Sequence, residues 1–259
     1  MRFFSWNVNG VRAVARKGFL DWLAQAKPDV LGLQEIKATP DQLGPDLLAE
    51  HGYHVLWNPA ERKGYSGTAL FAREPFEVLA TGLGEAQFDD EGRTTITRHQ
   101  SAGGPVVLIN CYFPHGKRDL SRVDYKNTFY ARMMVVADAL RAQGEHVVIG
   151  GDWNTAHQPI DLTNDKANKK TAGFTQPERD ALDLWPQAGW IDAWRRLHPE
   201  EEKYTWWSNR PGVRERNIGW RIDYHWVAPE LWPRVKGAVI HDQVLGSDHC
   251  PVELIVDEG

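Results

Sequence analysis

Several short stretches place oxygen-bearing or ionisable side chains directly behind an apolar run. Val147-Val148-Ile149 leads through Gly150-Gly151 into Asp152-Trp153-Asn154, and Val30-Leu31-Gly32-Leu33 runs into Gln34-Glu35. Val106 to Ile109 runs into Asn110-Cys111-Tyr112, and Gly246-Ser247-Asp248-His249 precedes the apolar segment Val252 to Val256. Apolar runs of this length suit strands buried on both faces, so the chemical groups stand at strand mouths. If the chain stays extended past the two glycines, Asp152 and Asn154 point the same way while Trp153 points into the packing. A carboxylate can bind a hard cation or take a proton from water, and an amide NH2 can donate to an oxyanion. Hydrolysis of a phosphate ester uses both. Taken alone, Gly-Gly-Asp-Trp-Asn is equally an ordinary turn, since Gly, Asp and Asn are common turn formers.

The donor set narrows the chemistry. Glu35, Asp152, Asp248 and the amides are hard oxygen ligands, with no cluster of thiols or histidines, which favours Mg²⁺ or Mn²⁺ over zinc. Such a site keeps waters and takes phosphate oxygens as ligands. Of the ten histidines, His249 stands out because it adjoins an acid at a strand mouth. A carboxylate on its other ring nitrogen would fix its tautomer and favour the cation.

The elements that position these groups follow from periodicity. Phe4, Trp6 and Val8 alternate with Ser5, Asn7 and Asn9, a strand presenting two amides on its other face. Phe19 to Ala24 has helical spacing and stops at Pro28, and a short helix is expected near Leu43 to Glu50. Tyr53 to Trp57, Gly67 to Ala72, Phe76 to Leu79, Thr94 to His99 and Val106 to Tyr112 read as strands. So many strands without helices between them argue for antiparallel sheets. Val123 to Gln143 suits one long amphipathic helix packed on the sheet that contains Val147 to Ile149. Asp161 to Gly173 reads as a polar loop, and Thr175-Gln176-Pro177-Glu178 as a capping box opening a helix to about Leu184. Trp190 to Trp194, Tyr204 to Trp207, Ile222 to Val227 (with Asp223 at its start), Val235 to Ile240 as an edge, and Val252 to Val256 complete the strands.

The chain of 259 residues is 42% hydrophobic, and its 15 prolines and 23 glycines are spread without a linker, charge block or repeat. One domain, 1–259, is expected. Two distant cysteines form neither a zinc motif nor a secreted disulfide framework. With no signal sequence and no apolar run approaching about 20 residues, a soluble cytoplasmic protein with no membrane contact is expected. A net charge of −5 argues on its face against nucleic acid, but the average hides local patches. Lys203 to Arg221 holds five basic residues and one acid interleaved with Trp206, Trp207 and Trp220, and Lys166, Lys169 and Lys170 form a second patch.

The blocks SWNVNGVRA, LQEIK, NCYFPHG, GGDWNTAH, NKKTAGFT, NIGWRIDY and GSDHCP occur in this order over nearly the whole chain. Together they resemble the exonuclease III group of AP endonucleases, within the deoxyribonuclease I-like endonuclease/exonuclease/phosphatase superfamily. The resemblance implies a four-layer α/β/β/α sandwich, two mostly antiparallel sheets flanked by helices. It implies a monomer that cuts double-stranded DNA 5′ to abasic sites, clears blocked 3′ ends and removes 3′ nucleotides, using Mg²⁺ with Mn²⁺ as substitute. Carried onto this sequence, Glu35 is the principal metal ligand with Asn7 beside it, Asp152 activates or aligns the attacking water, and Asn154 holds that water or donates to the phosphoryl oxygen. Asp152, Asn154, Asp248 and His249 are counted with Glu35 and Asn7 in the metal site. His249, oriented by Asp223, binds the scissile phosphate near the metal, Tyr112 contacts it through its hydroxyl, and Asp248 serves a second metal position or the leaving group. Trp206, Trp220 and Ile222 match a pocket for a flipped abasic sugar, while Arg118, His115, Lys169 and Thr171 contact DNA. Asn9 stands where some members carry an acid, His115 where an amide is common, Thr171 in place of Asn, and Trp206 in place of Phe.

Two rival readings share part of this pattern. A phosphoesterase acting on a phospholipid or inositol phosphate would keep the catalytic core but has no use for the basic aromatic segment 203–221. A DNA-binding module on a dead nuclease fold would not need every catalytic position filled with a competent residue.

Overall fold

The computed structural model describes residues 1–49 and 51–258. In chain order its strands are β1 (Arg2–Asn7), β2 (Val30–Gln34), β3 (His54–Asn58), β4 (Thr68–Ala72), β5 (Phe76–Ala80), β6 (Thr94–His99) and β7 (Val106–Tyr112). There follow β8 (Val147–Asp152), β9 (Ile191–Asp192), β10 (Trp206–Trp207), β11 (Gly219–Trp220), β12 (Asp223–Val227), β13 (Val235–Ile240) and β14 (Val252–Val256). They form two six-stranded sheets, ordered β13-β14-β1-β2-β4-β3 and β5-β6-β7-β8-β12-β9, and a two-stranded ribbon, β10-β11. Neighbours are antiparallel except for one central pair in each large sheet, β1 with β2 and β7 with β8. A parallel pair needs a crossover. The helices Val11–Ala15 and Phe19–Ala26 make the first, and Val123–Ala142 the second. Each sheet thus holds a strand-helix-strand unit, and open α/β sheets bind ligands in the crevice outside the carboxyl ends of such strands.

Alternation along each strand divides its residues between two cores. Phe3, Val30, Leu70, Leu108, Val148, Val227 and Leu254 pack between the sheets. Phe4, Trp6, Leu31 and Leu33 meet Phe19 and Leu23 of the first helical layer, whereas Val107, Ile109, Val147 and Ile149 meet Phe129, Met133, Leu182 and Trp185 of the second. Three cores between four layers make a helix-sheet-sheet-helix sandwich. No helix among the described residues is long and apolar enough to cross a membrane.

Toward the crevice the inter-sheet core becomes polar. Asn110 of β7 reaches across to donate to the carbonyls of Leu33 and Ala69 at 3.3 and 3.0 Å, and accepts from Gln34 Nε2 at 2.7 Å. Gly32 makes room for it, because a Cβ there would lie 2.6 Å from Asn110 Oδ1. These buried bonds pin the sheets together at the end where the chemistry sits.

Some expected boundaries move. Trp190 to Trp194 contracts to β9, because Asp192 instead caps a helix Ala193–Leu197, accepting from Arg195 N at 3.2 Å. The helix expected near Leu43 to Glu50 shortens to Pro45–Leu48, and Glu50 lies outside the described residues. The capped helix runs on from Gln176 to Gln187, its buried Trp185 filling the outer aromatic core, and the loop before it contains a short helix, Asp165–Asn168.

Lys126 lands on the buried stripe of the long helix. Its Nζ, fully buried, lies 2.7 Å from Glu178 Oε1 and donates to Asn154 O at 2.6 Å and Thr155 Oγ1 at 2.5 Å. Glu178 also accepts from Gly173 N at 2.8 Å and from Thr175 Oγ1 at 2.7 Å, so this ion pair bolts the segment before the capped helix to the turn after β8. Removing one partner strands the other charge in the core. Glu178→Ala is expected to cost about 3–5 kcal/mol in urea unfolding; a loss below about 1 kcal/mol would show that Lys126 finds another partner.

Candidate active site

At the carboxyl ends of β1, β2, β7 and β8 the polar groups meet. Asn7, the last residue of β1, donates Nδ2 to Glu35 Oε1 at 2.9 Å and to Asp152 Oδ2 at 2.8 Å. Its Oδ1 accepts from Asn9 N at 3.0 Å, which fixes the orientation of the amide. Asn7 therefore points its donor group, not its carbonyl, at the two acids. Glu35 follows β2 with φ 52°, a left-handed conformation costing roughly 1–2 kcal/mol in a residue with a Cβ. The bonds Gly10 N to Glu35 O and Ile36 N to Gly67 O hold it there. Burial pushes the Glu35 carboxyl up, but the Lys37 charge and hydrogen bonds from Asn7 and Lys37 outweigh it and keep the group below the usual carboxylate range.

Asp152 and Asn154 share one volume, though not by strand alternation. β8 ends at Asp152, and Asn154 is left-handed at φ 51°. Asn154 N donates to Asp152 Oδ1 at 2.8 Å and Asn154 Nδ2 lies 3.4 Å from Oδ2, so the acid closes the turn on itself. Trp153 turns inward and stacks on Phe113 with centroids 4.1 Å apart. Gly151 is required by close approach, because a Cβ there would fall 1.8 Å from the Cys111 carbonyl oxygen.

His249 lies between two acids, Nδ1 2.9 Å from Asp223 Oδ2 and Nε2 3.8 Å from Asp152 Oδ2. The β8–β12 register sets Asp223 opposite Asp152, and the Thr205 hydroxyl accepts from the backbone N–H groups of Ile222 and Asp223 at 3.0 and 3.1 Å. Burial alone would push His249 down, but Asp223, Asp152 and Asp248 carry it up to about 10. Burial raises Asp152 to about 7, Asp223 and Glu35 adding to the rise while His249 opposes it. Asp248 accepts from Asn9 Nδ2 at 3.0 Å and from Trp206 Nε1 at 3.1 Å. Burial raises this carboxyl, but His249 and these two bonds outweigh it and hold it low.

The groups open on a cleft of about 270 Å³ lined by Glu35, Tyr112, His115, Asn154, Thr171, Trp206, Trp220, Ile222, Asp248 and His249. Asn7, Asp152 and Asp223 are buried and do not line it. Burial and the Glu35 charge push the Tyr112 hydroxyl well up, so it stays protonated. Trp206 and Trp220 meet edge to face at 6.3 Å, forming an apolar wall beside His249. Arg118 and Lys169 are exposed and not part of the lining, each a few residues from one that is, His115 and Thr171. The supporting residues Lys37, Lys126 and Thr205 were not singled out from the sequence. A lysine on an apolar helical stripe signals Lys126, whereas nothing local signals Thr205.

Asp152, Asp223 and His249 bring donor atoms within 4.8 Å of one another. Asp223 occupies Nδ1, however, and an imidazole held as the cation has no lone pair for a metal. Glu35 and Asp248 offer hard oxygens at the cleft, both kept ionised, that could hold a metal ion. The chain itself lodges a cation there, Lys37 Nζ lying 2.6 Å from Glu35 Oε2. That environment fits a divalent hard ion.

Residues 4–249 match the model of the Endonuclease/Exonuclease/phosphatase family. The chain is also 44% identical to an exodeoxyribonuclease of Bacillus subtilis (strain 168), over 99% of this chain and 100% of that protein. It belongs to the Endonuclease/Exonuclease/phosphatase family. Solved structures of similar proteins include the AP endonuclease LMAP from Leishmania major (TM-score 0.89, 27% identity, 100% of this chain and 88% of that one). Another is the 3′ phosphatase NExo from Neisseria bound to product DNA hairpin (TM-score 0.89, 28% identity, 99% of each chain). The family is divalent-metal-dependent, in keeping with the oxygen donors at the cleft.

The row Asp152, His249, Asp223 generates a test. Removing the Asp223 charge withdraws the largest support for the imidazolium, so Asp223→Asn lowers the His249 pKa. Activity that needs that cation then fails at lower pH: the alkaline limb of the kcat/KM profile moves down by more than about one unit relative to the unaltered protein. An unmoved limb would assign it to another group.

Proposed function

We propose that residues 1–259 form one domain, a monomeric, cytoplasmic DNA-repair nuclease. It hydrolyses phosphodiesters of double-stranded DNA 5′ to abasic sites, removes phosphate and other blocks from 3′ ends, and degrades duplex DNA from 3′ to 5′. Mg²⁺ is the working ion, with Mn²⁺ able to substitute. The observation that carries this reading is His249, backed by the buried Asp152 at 3.8 Å, standing in one cleft with the apolar wall of Trp206, Trp220 and Ile222. Phosphate-handling groups beside a slot without base-reading polar groups suit a sugar that has lost its base. Extruding it costs least where no base is stacked. The printed activities of the similar proteins, exodeoxyribonuclease, AP endonuclease and 3′ phosphatase, support the same reading.

In the proposed mechanism Glu35 and Asp248 would hold the ion, which when bound would neutralise phosphate charge. Asp152, with a pKa near neutrality, accepts the proton of the attacking water, whose oxygen bonds to phosphorus as the P–O3′ bond breaks. Asn154 aligns that water from its position beside Asp152. The His249 imidazolium and the protonated Tyr112 hydroxyl donate to the non-bridging oxygens, whose negative charge grows in the transition state. The 3′ oxygen leaves with the P–O3′ electron pair and takes a proton from solvent; Asp248, kept ionised, would act on that side only by holding the ion that neutralises the departing oxygen. Arg118, Lys169, His115 and Thr171, on the two loops flanking the cleft, contact the DNA backbone, which makes binding strongly salt-dependent.

The experiment is incision of a labelled duplex carrying an abasic analogue, with Mg²⁺ or with EDTA. Asp152→Asn is expected to lower turnover by about 10²–10⁴-fold while DNA affinity holds or improves; equal loss of both would make Asp152 structural. Trp220→Ala should impair abasic-site incision more than release of a 3′ phosphate, and a uniform loss would remove Trp220 from the sugar pocket.

A further inference from the structure

Lys37 takes no part in the mechanism above, yet the chain aims it at Glu35. Its Nζ lies 2.6 Å from Glu35 Oε2 and 2.5 Å from Asn9 Oδ1, and Asn9 Nδ2 in turn holds Asp248 Oδ1 at 3.0 Å. Ammonium and amide thus link the two carboxylates that face the cleft. The placement is built into the backbone. Glu35 and Lys37 both adopt the left-handed conformation, at φ 52° and 51°, unfavourable for residues with a Cβ, and Lys37 N is tied to Ser66 O at 3.0 Å. Asn9 is neutral, so the ammonium balances carboxylate charge rather than satisfying a third acid.

Both Glu35 oxygens are taken by donors, and a ligand oxygen has to exchange a donor for a metal ion. Asn7 holds Oε1 and is 0% exposed, with the same NH2 engaged by Asp152, so it cannot leave without breaking the contact between the sheets. The Lys37 side chain, 31% exposed on a flexible stem, can swing out into solvent.

We propose that Lys37 is a resident counter-cation that a divalent ion displaces from Glu35, and that it thereby sets the metal affinity of the site. This rests on the assignment of Glu35 and Asp248 as the seat of the ion. Before metal arrives, the ammonium holds Glu35 in place directly and Asp248 through Asn9. On its displacement the metal must offset the lost ion pair, so the apparent affinity is weaker than the oxygen donors alone would give.

The test is direct Mn²⁺ binding to the full chain without DNA, by loss of the free-ion electron paramagnetic resonance signal, together with melting curves with and without Mn²⁺. Lys37→Ala is expected to tighten Mn²⁺ binding by about tenfold. It should also lower Tm without metal while enlarging the rise in Tm on adding Mn²⁺. Lys37→Arg, which keeps the charge, should stay within about twofold of the unaltered chain. Glu35→Gln should abolish the binding. Unchanged or weaker Mn²⁺ binding by Lys37→Ala, with Glu35→Gln still losing it, would overturn the proposal and leave the metal seat standing. Binding unaffected by Glu35→Gln would overturn both.

Discussion

One amide NH2, that of Asn7, donates to two carboxylates that come from different sheets, and it can do so only where β1 and β8 end at the same height. That condition propagates backwards through the fold. β1 and β8 each belong to a parallel pair, so helices must carry the chain across, and those helices bury the outer faces of both sheets. The sheets must also approach closely near their carboxyl ends, which Gly32 permits and the Asn110–Gln34 bonds maintain. A shift of one residue in either central strand would turn Asn7 or Asp152 out of the interface and dissolve the site.

Having gathered the acids, the fold has to keep them from expelling one another. Asp152 and Asp223 sit directly opposite across β8 and β12, an arrangement that costs free energy unless a cation lies between them. His249 supplies it, arriving from the loop that precedes β14. The same interaction that relieves repulsion raises the pKa of the imidazole at the cleft to about 10 and leaves an aspartate whose pKa lies near neutrality. At Glu35 the relief comes instead from Lys37, on a flexible stem, so one counter-cation is locked in the core and the other is free to swing away.

Much of this was legible in the sequence. Apolar runs ending at Asp152, Glu35 and Tyr112 located the strand mouths, and the motif blocks placed Asp223 beside His249. The strand run argued correctly for mostly antiparallel sheets. Less legible were features set by tertiary contact. Extended geometry was expected to align Asp152 with Asn154, whereas the backbone turns at Asn154 and the Asp152 side chain closes the turn. Trp194 fell in a helix because the cap at Asp192 outcompeted the β propensity of the aromatic run. The partnership of Lys126 with Glu178 spans 52 residues and left only the odd lysine on an apolar stripe as its trace.

The central claim is that groups from both sheets grip one phosphodiester around a divalent ion. Its most direct test is anomalous diffraction from crystals of the Asp152→Asn protein grown with Mn²⁺ and uncut abasic DNA. The account predicts a manganese peak at Glu35 and a backbone phosphate between Tyr112 and His249, with the abasic sugar against Trp206 and Trp220. Manganese bound elsewhere, or DNA lying away from this cleft, would contradict it.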